Sequence, residues 1–128
     1  MDKRQISAEL KSFIKENLHS VYALETLLLL HRNQGKTFNA SDIASELGFD
    51  EEVAQEQVRA LKSIGLLSDS GDFSYTYDPS DDKFGGLVDA LAVAYSNQRV
   101  PILSLILTNR SDRIRLFAEA FRLIRGSD

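Results

Sequence analysis

Few residues of this chain have the chemistry that catalysis or metal binding requires. The 128 residues include two histidines, His19 and His31, and no cysteine. His31 falls on the apolar side of a predicted helix, where a histidine more often packs in the core or caps a helix than binds a metal. The carboxylates of Asp78, Asp81 and Asp82 lack the alternating oxygen ligands and the closing glutamate of a calcium loop. The sequence has no glycine-rich phosphate loop and no nucleophile elbow, so we predict no enzyme activity, no metal and no cofactor.

Three aromatic residues, Phe73, Tyr75 and Tyr77, alternate with polar residues. Such rings can line a ligand pocket or stack on nucleic-acid bases. At alternating positions they are more often one buried face of a β-strand, and we predict that arrangement here.

The charge of the chain is unevenly distributed. Residues 41–82 contain eleven acidic and two basic residues and carry −9, whereas the whole chain carries −4. The acids are Asp42, Glu46, Asp50, Glu51, Glu52, Glu56, Asp69, Asp72, Asp78, Asp81 and Asp82, and the bases are Arg59 and Lys62. DNA carries one negative charge about every 1.7 Å of its axis, and neutralising it supplies nearly all non-specific affinity. Residues 41–82 are therefore poorly suited to DNA and well suited to a basic surface.

Positive charge is concentrated in residues 110–125, which contain Arg110, Arg113, Arg115, Arg122 and Arg125. Asp112 and Glu119 oppose them, and glutamate–arginine spacings along a helix neutralise part of the charge. Three interpretations remain open: a basic face for nucleic acid or an acidic protein, a solvated and salt-bridged helix surface, or a contact with the acidic region within the chain or across a dimer.

The composition is that of one domain with a substantial core. The chain is 43% hydrophobic and 27% charged, which does not resemble a disordered protein. The N-terminus is polar rather than an apolar signal core, and no apolar run approaches the roughly 20 residues of a membrane span. With no cysteine, we expect a cytoplasmic protein.

Hydrophobic periodicity predicts four helices in the first half of the chain. Ile6 to Leu18 is amphipathic, and Ser20 is the N-cap of a buried helix that continues to about Arg32. Asn39, with Asp42 three residues later, begins a short helix that ends near Gly48. Asp50 caps a longer helix with acids in its first turn, and Gly65 ends it.

Strand and turn signals follow that longer helix. Leu66–Ser68 is predicted as a strand, Ser70–Asp72 as a turn and Phe73–Asp78 as the second strand. Pro79–Asp82 is predicted as an acidic linker.

The remaining sequence predicts further helices. One begins near Gly86, and Pro101 either kinks it or starts another. A turn is expected over Asn109–Asp112. The apolar positions of a last helix are Ile114, Phe117, Ala118, Phe121 and Ile124.

This order of elements resembles a winged helix. The stretch from Thr37 to Leu67 is similar to the core of MarR-like and ArsR-like bacterial regulators; its matching positions are Ile43-Ala44, Leu47-Gly48, Val58, Leu61, Ile64 and Gly65-Leu66-Leu67. The resemblance covers about residues 20–78 and implies a mainly α fold. The implied fold comprises a winged-helix core of three helices and a small β-wing, with extra N-terminal and C-terminal helices. We accordingly expect residues 1–19 to pack on the core or a dimer partner and residues 79–128 to extend the same compact unit.

The resemblance implies that the helix 50–64 is a recognition helix for the major groove and the hairpin 66–77 a wing. The sequence departs from that pattern in its charge. The leading end of the helix is acidic, and the wing segment 69–72 has no lysine or arginine. The alternative is that residues 50–52 only cap the helix, which leaves Glu56 and the wing unexplained.

Our first functional hypothesis is therefore a winged-helix regulatory protein, related to transcription, that binds a basic protein surface. The proposed contact residues are Glu51, Glu52, Gln55, Glu56, Asp69 and Asp72. The alternative is a homodimeric DNA-binding transcriptional regulator. Its contact residues would be Gln55, Arg59, Lys62, Arg110, Arg113 and Arg122. A second alternative is a small-molecule sensor with a pocket between the central and C-terminal helices.

A homodimer built from the first and last helices is also a hypothesis. Its core candidates are Phe13, Ile14, Phe117, Phe121 and Ile124. The competing interpretation is that these residues close the core of a single chain.

Overall fold

The computed structural model describes residues 6–107, which form a mainly helical fold with a small antiparallel sheet. The elements are α1 (Ala8–Asn17), α2 (Val21–Arg32), α3 (Ala40–Leu47), α4 (Glu51–Ile64), β1 (Leu67–Gly71), β2 (Ser74–Tyr77), α5 (Asp82–Asn97) and α6 (Arg99–Leu107). The predicted turn at 109–112 and the predicted last helix lie outside the described residues. So do Arg110, Arg113, Phe117, Phe121, Arg122 and Ile124.

Local capping signals set the helix boundaries, as predicted. Ser20 Oγ accepts a hydrogen bond from the Ala23 N–H at 3.1 Å. Asn39 and Asp42 form a reciprocal capping box, in which Asn39 Oδ1 lies 2.8 Å from the Asp42 nitrogen and Asp42 Oδ2 lies 3.2 Å from the Asn39 nitrogen. Asp50 occupies the N-cap position of α4, but its side chain makes no capping hydrogen bond.

The core is built around α2, the helix predicted to be buried. Most of its length is inaccessible to solvent, and Leu24, Leu27 and Leu30 are at most 1% exposed. Helices α3 and α4 and strand β2 pack against it. Burying a leucine side chain contributes roughly 1.5–3 kcal/mol, so this helix is the main source of stability for the elements around it.

The two strands form a hairpin that a third segment extends. Leu67 pairs with Tyr77 and Gly71 with Ser74, with a bulge between Asp69 and Gly71. Phe38, in the connection between α2 and α3, pairs with Tyr75 through two backbone hydrogen bonds of 2.9 and 2.8 Å. The predicted β character of the Thr37-Phe38 segment is thus confirmed at Phe38.

The predicted hairpin turn, Ser70–Asp72, was wrong, because Ser70 and Gly71 belong to β1. The turn residues are Asp72 and Phe73, both with positive φ (52° and 59°). Tyr75 and Tyr77 are buried as predicted, but Phe73 is 81% exposed. Phe73 lies outside the aromatic face because the chain reverses before β2 begins at Ser74.

Helix α5 begins earlier than predicted, so the acidic linker is shorter than the predicted Pro79–Asp82. Asp81 is its N-cap, and Asp81 Oδ1 accepts a hydrogen bond from the Phe84 N–H at 2.8 Å. A carboxylate that caps a helix start is energetically favourable, which explains why these acids lie at a helix terminus rather than in a free linker.

Pro101 lies in the first turn of a new helix and does not kink α5. The chain bends by 114° between α5 and α6. Across residues 6–107, no single helix is both long and apolar enough to cross a membrane, although α5 and α6 together meet that length and composition.

Two dimer candidates are buried within the single chain. Phe13 is 3% exposed and packs edge-on against Phe84 of α5 with ring centroids 6.0 Å apart, and Ile14 is fully buried. Both side chains therefore close the core between α1 and α5, which supports the competing interpretation for these two residues.

Candidate functional site

The candidate site comprises the predicted contact residues of α4 and of the hairpin. We define the acidic surface by Glu51, Glu52, Gln55, Glu56, Asp69 and Asp72. The first four lie on α4, Asp69 lies on β1 and Asp72 lies in the hairpin turn. Helix α4 leads directly through Gly65 into β1, so one continuous segment of chain carries all six residues.

The apolar stripe of α4 determines which side chains point to solvent. Ala54, Val58 and Leu61 are fully buried and recur at helical spacing. Glu51, Glu52 and Glu56 are exposed, whereas Gln55 is half-buried at the edge of the stripe. Gln55 is therefore less available to a partner than the sequence pattern implied.

The glutamates of α4 carry unneutralised charge. Among residues 6–107, neither Glu51, Glu52 nor Glu56 forms an ion pair within 4.0 Å. Glu52 and Glu56 are four residues apart, a spacing at which like charges repel by roughly 0.2–0.5 kcal/mol. No ion pair among residues 6–107 thus neutralises these three glutamates, although Glu51 and Glu52 lie in the first turn of α4, where the helix dipole favours acids.

The basic residue Lys62 forms an ion pair with one of the acids of the acidic surface. Lys62 Nζ lies 3.2 Å from Asp69 Oδ2, which links the last turn of α4 to β1. Asp69 Oδ1 accepts a hydrogen bond from the Gly71 N–H at 3.0 Å. That hydrogen bond and the Lys62 ammonium hold the pKa of Asp69 below its usual value. Asp69 is therefore an ionised residue that braces the hairpin.

The hairpin turn presents Phe73 beside Asp72. A two-residue hairpin loop with positive φ at both positions favours Asn-Gly or Asp-Gly, and a bulky residue with positive φ is a conformational outlier. The exposure of this ring was not predicted, because Phe73 continues the alternation of Tyr75 and Tyr77. The nearby glycine, Gly71, precedes the two-residue loop, so the local signal placed the turn too early.

The structure describes only some of the residues that the DNA-binding alternative requires. Arg59 is exposed and has no ion-pair partner in the part of the chain that the structure describes. Lys62 is held by Asp69, so a phosphate would have to compete with that carboxylate. Arg110, Arg113 and Arg122 lie outside the described residues.

A small cavity lies between α2 and α5, where the sensor hypothesis places a ligand. Its volume is ≈ 190 Å³, and Leu28, His31, Arg32, Ala92, Tyr95 and Ser96 line it. Ligand pockets typically measure about 300–1,000 Å³, so this cavity suits at most a very small molecule.

His31 lies beside this cavity but already has partners. Its Nε2 is 2.8 Å from Asp89 Oδ1, and its ring packs edge-on against Tyr77 with centroids 5.3 Å apart. The Tyr77 hydroxyl is buried without a hydrogen-bond partner, and burial with the nearby Asp89 charge raises the pKa of Tyr77 to about 12. This cluster joins elements of the core, which agrees with the predicted core role of His31.

No protein-family model, no curated protein and no solved structure matches this chain.

Proposed function

We propose that this chain is a winged-helix regulatory protein that acts by protein contact, with the acidic surface as its binding site. In this assignment α2, α3 and α4 are the three helices of the winged-helix core and the β1–β2 hairpin is the wing. Transcription is the process in which such a module most commonly works, and a basic protein of that apparatus is the proposed partner.

The arrangement of the elements supports the winged-helix assignment. Helices α2, α3 and α4 pack on one another, and the hairpin follows α4 directly. The pairing of Phe38 with Tyr75 adds the segment before α3 to the hairpin as a third, one-residue strand. Three helices with a small antiparallel sheet in this chain order are typical of a winged helix.

The charge of α4 is the observation that carries the functional proposal. The exposed glutamates of its first half have no cationic partner among residues 6–107, while Lys62 is neutralised by Asp69. A surface of this sign attracts a basic partner and slows the approach of a polyanion. The same fold serves both DNA and protein contacts, so the charge of the site, rather than the fold, decides between them.

The partner should present lysine or arginine side chains. Arginine pairs with carboxylates through two parallel hydrogen bonds, which fixes orientation as well as affinity. Exposed ion pairs contribute only about 0.2–1 kcal/mol each. Several such pairs are needed, and the distribution of carboxylates over α4 and the hairpin provides them.

The test is a charge reversal on α4. Glu52→Lys with Glu56→Lys should abolish partner recovery in pull-downs from producing cells, without changing the far-UV circular dichroism. Glu9→Lys with Glu16→Lys is the matched control, because both residues are exposed on α1 and the net charge changes equally. If the two double variants recover the same proteins, the acidic surface is not the site.

Fluorescence anisotropy with a labelled random duplex tests the DNA-binding alternative. No binding at low salt is expected, since specific recognition normally rests on an electrostatic base. Binding that weakens steeply with salt, and that Arg59→Ala reduces, would favour the DNA-binding regulator instead.

A further inference from the structure

We infer that the acidic surface, together with the exposed ring of Phe73, is a docking site for the chain's own basic segment, residues 110–125. This inference rests on the proposed function, since it names an occupant for the same surface and thereby a means of regulating it.

Phe73 has two unusual properties at once. Its side chain is 81% exposed, and its backbone has φ of 59°. For an L-residue other than glycine the left-handed region costs roughly 1–2 kcal/mol. Strained conformations of this kind concentrate at ligand contacts and switch regions. A ring that is neither buried by the fold nor favoured by its backbone is best explained by a contact outside residues 6–107.

The hairpin that carries this ring is braced by several contacts. Lys62 and Asp69 join the hairpin to α4, and the hydroxyls of Ser70 and Thr76 lie 3.0 Å apart across the strands. The Asp69 carboxylate also accepts the Gly71 N–H next to the turn. A pre-ordered aromatic residue loses little conformational entropy on binding, which makes it an effective anchor.

Residues 110–125 have the complementary chemistry. They contain five arginines against two acids, and apolar residues recur among them at Ile114, Phe117 and Phe121. Arginines match the carboxylates of α4, apolar side chains match the Phe73 ring, and a guanidinium can also stack on that ring. Residues 41–82 carry a net charge of −9 and residues 110–125 a net charge of +3, so the two regions attract each other.

The segment is long enough to reach the surface. Sixteen residues span about 24 Å as a helix and about 50 Å when extended. A domain of about 100 residues has a radius of gyration of about 13 Å. The extended length exceeds twice this radius, so a segment attached after Leu107 can cross a domain of this size when it is extended.

Docking within the chain has a regulatory consequence. A tethered segment acts at an effective concentration in the millimolar range, so a basic partner must displace it before binding α4. Partner affinity should consequently increase when the arginines of the segment are reversed, whereas reversal of the α4 glutamates should abolish binding.

The experiment uses Phe73→Trp in the full chain as a reporter, because the sequence contains no other tryptophan. We expect the indole to emit at short wavelength and to be protected from acrylamide at about 0.05 M salt. Both properties should be lost at about 1 M salt, where the Debye length falls to about 3 Å. Arg113→Glu with Arg115→Glu and Arg122→Glu should expose the indole at low salt.

A matched control separates this contact from a general effect of net charge. Lys11→Glu with Lys36→Glu and Lys83→Glu changes the net charge equally at three exposed positions and should leave the indole protected. Adding Glu51→Lys, Glu52→Lys and Glu56→Lys to the arginine reversals should restore protection, because the charge pairs are then exchanged. Far-UV circular dichroism of each variant verifies that it is folded.

Three outcomes would overturn the inference. The first is that the indole is solvent-exposed at low salt, and the second is that its protection survives the arginine reversals. The third is that its protection rises with chain concentration, which would assign the occupant to a second copy. Each is measured on the isolated chain without a partner. A failure here is therefore distinguishable from a failure of the proposed function, which the Glu52/Glu56 pull-down tests separately.

Discussion

His31 Nε2 lies 2.8 Å from Asp89 Oδ1 and thereby joins α2, at the centre of the fold, to α5. The two side chains differ in environment, because the His31 side chain is 14% exposed and that of Asp89 is 69% exposed. A contact that is half open to water is weakened by solvent screening.

We expect a modest coupling energy between these two residues. A double-mutant cycle of His31→Ala and Asp89→Ala, measured by urea unfolding, should give about 0.5–1 kcal/mol. The cycle removes the separate cost of losing the His31 ring from Tyr77. A coupling energy indistinguishable from zero would show that the hydrogen bond makes no net contribution.

Replacing Tyr77 by phenylalanine should stabilise the protein. The hydroxyl of Tyr77 is buried without a hydrogen-bond partner, and leaving such a group unsatisfied costs roughly 1–3 kcal/mol. We expect Tyr77→Phe to raise the free energy of unfolding by about 1 kcal/mol. Tyr22→Phe is the control, since Tyr22 is 48% exposed and should show no gain.

The same tyrosine makes stability depend on alkaline pH. Its pKa is raised from 10.0 to about 12 in the folded state, mainly by burial. The free energy of unfolding is unaffected by the titration of this group below pH 10. It falls as the pH rises towards 12, because the unfolded chain gives up the proton first. Thermal unfolding of wild type and Tyr77→Phe between pH 9 and pH 12 should therefore diverge, and parallel curves would contradict the assignment.

Replacing Phe73 by glycine should also stabilise the fold. Glycine adopts positive φ without steric cost, and Asp-Gly is a favoured pair in this two-residue turn. At about 1 M salt, where the inferred contact with residues 110–125 is released, little packing is lost because Phe73 is 81% exposed, and we expect a gain of about 1 kcal/mol. Phe73→Ala keeps the backbone penalty and should show no gain in the same urea titration.

The N-caps of α3 and α4 should respond differently to truncation. Asn39 caps α3 through its side chain, whereas Asp50 makes no capping hydrogen bond. Asn39→Ala should cost about 1 kcal/mol. Asp50→Ala should cost about 0.3 kcal/mol, since only a favourable charge near the helix dipole is lost. Equal losses in thermal unfolding would contradict this difference.

Features set by local chemistry were predictable from the sequence. The boundaries of α2, α3 and α4 follow from Ser20, Asn39 and Gly65, because caps act within a few residues of where they occur. The buried stripe of α4 likewise followed from helical periodicity.

Features set by distant pairing were not predictable. Phe38 pairs with Tyr75 of β2, although α3 and α4 lie between the two residues in the sequence. The partnership of His31 with Asp89 joins residues 58 positions apart. The start of α5 was missed although its cap is local, because Asp81 lies among acids near Pro79 that have the composition of a linker.

The candidate site was anticipated in its charge but not in its details. The exposed glutamates of α4 follow from its periodicity. Lys62 was assigned to DNA contact and Asp69 to protein contact, yet the two residues form an ion pair with each other. This pair was not predicted, because no rule of spacing links the end of a helix to the strand that follows it. The exposure of Phe73 required the register of the hairpin.

The pairing of Phe38 with Tyr75 also joins the two ends of a long segment of the chain. The segment between them contains α3, α4 and most of the hairpin, so these elements share one boundary. Their slowest amide hydrogens should exchange with solvent together, as one cooperative unit. A ligand that binds only the hairpin would then reduce exchange in α3 and α4 as well.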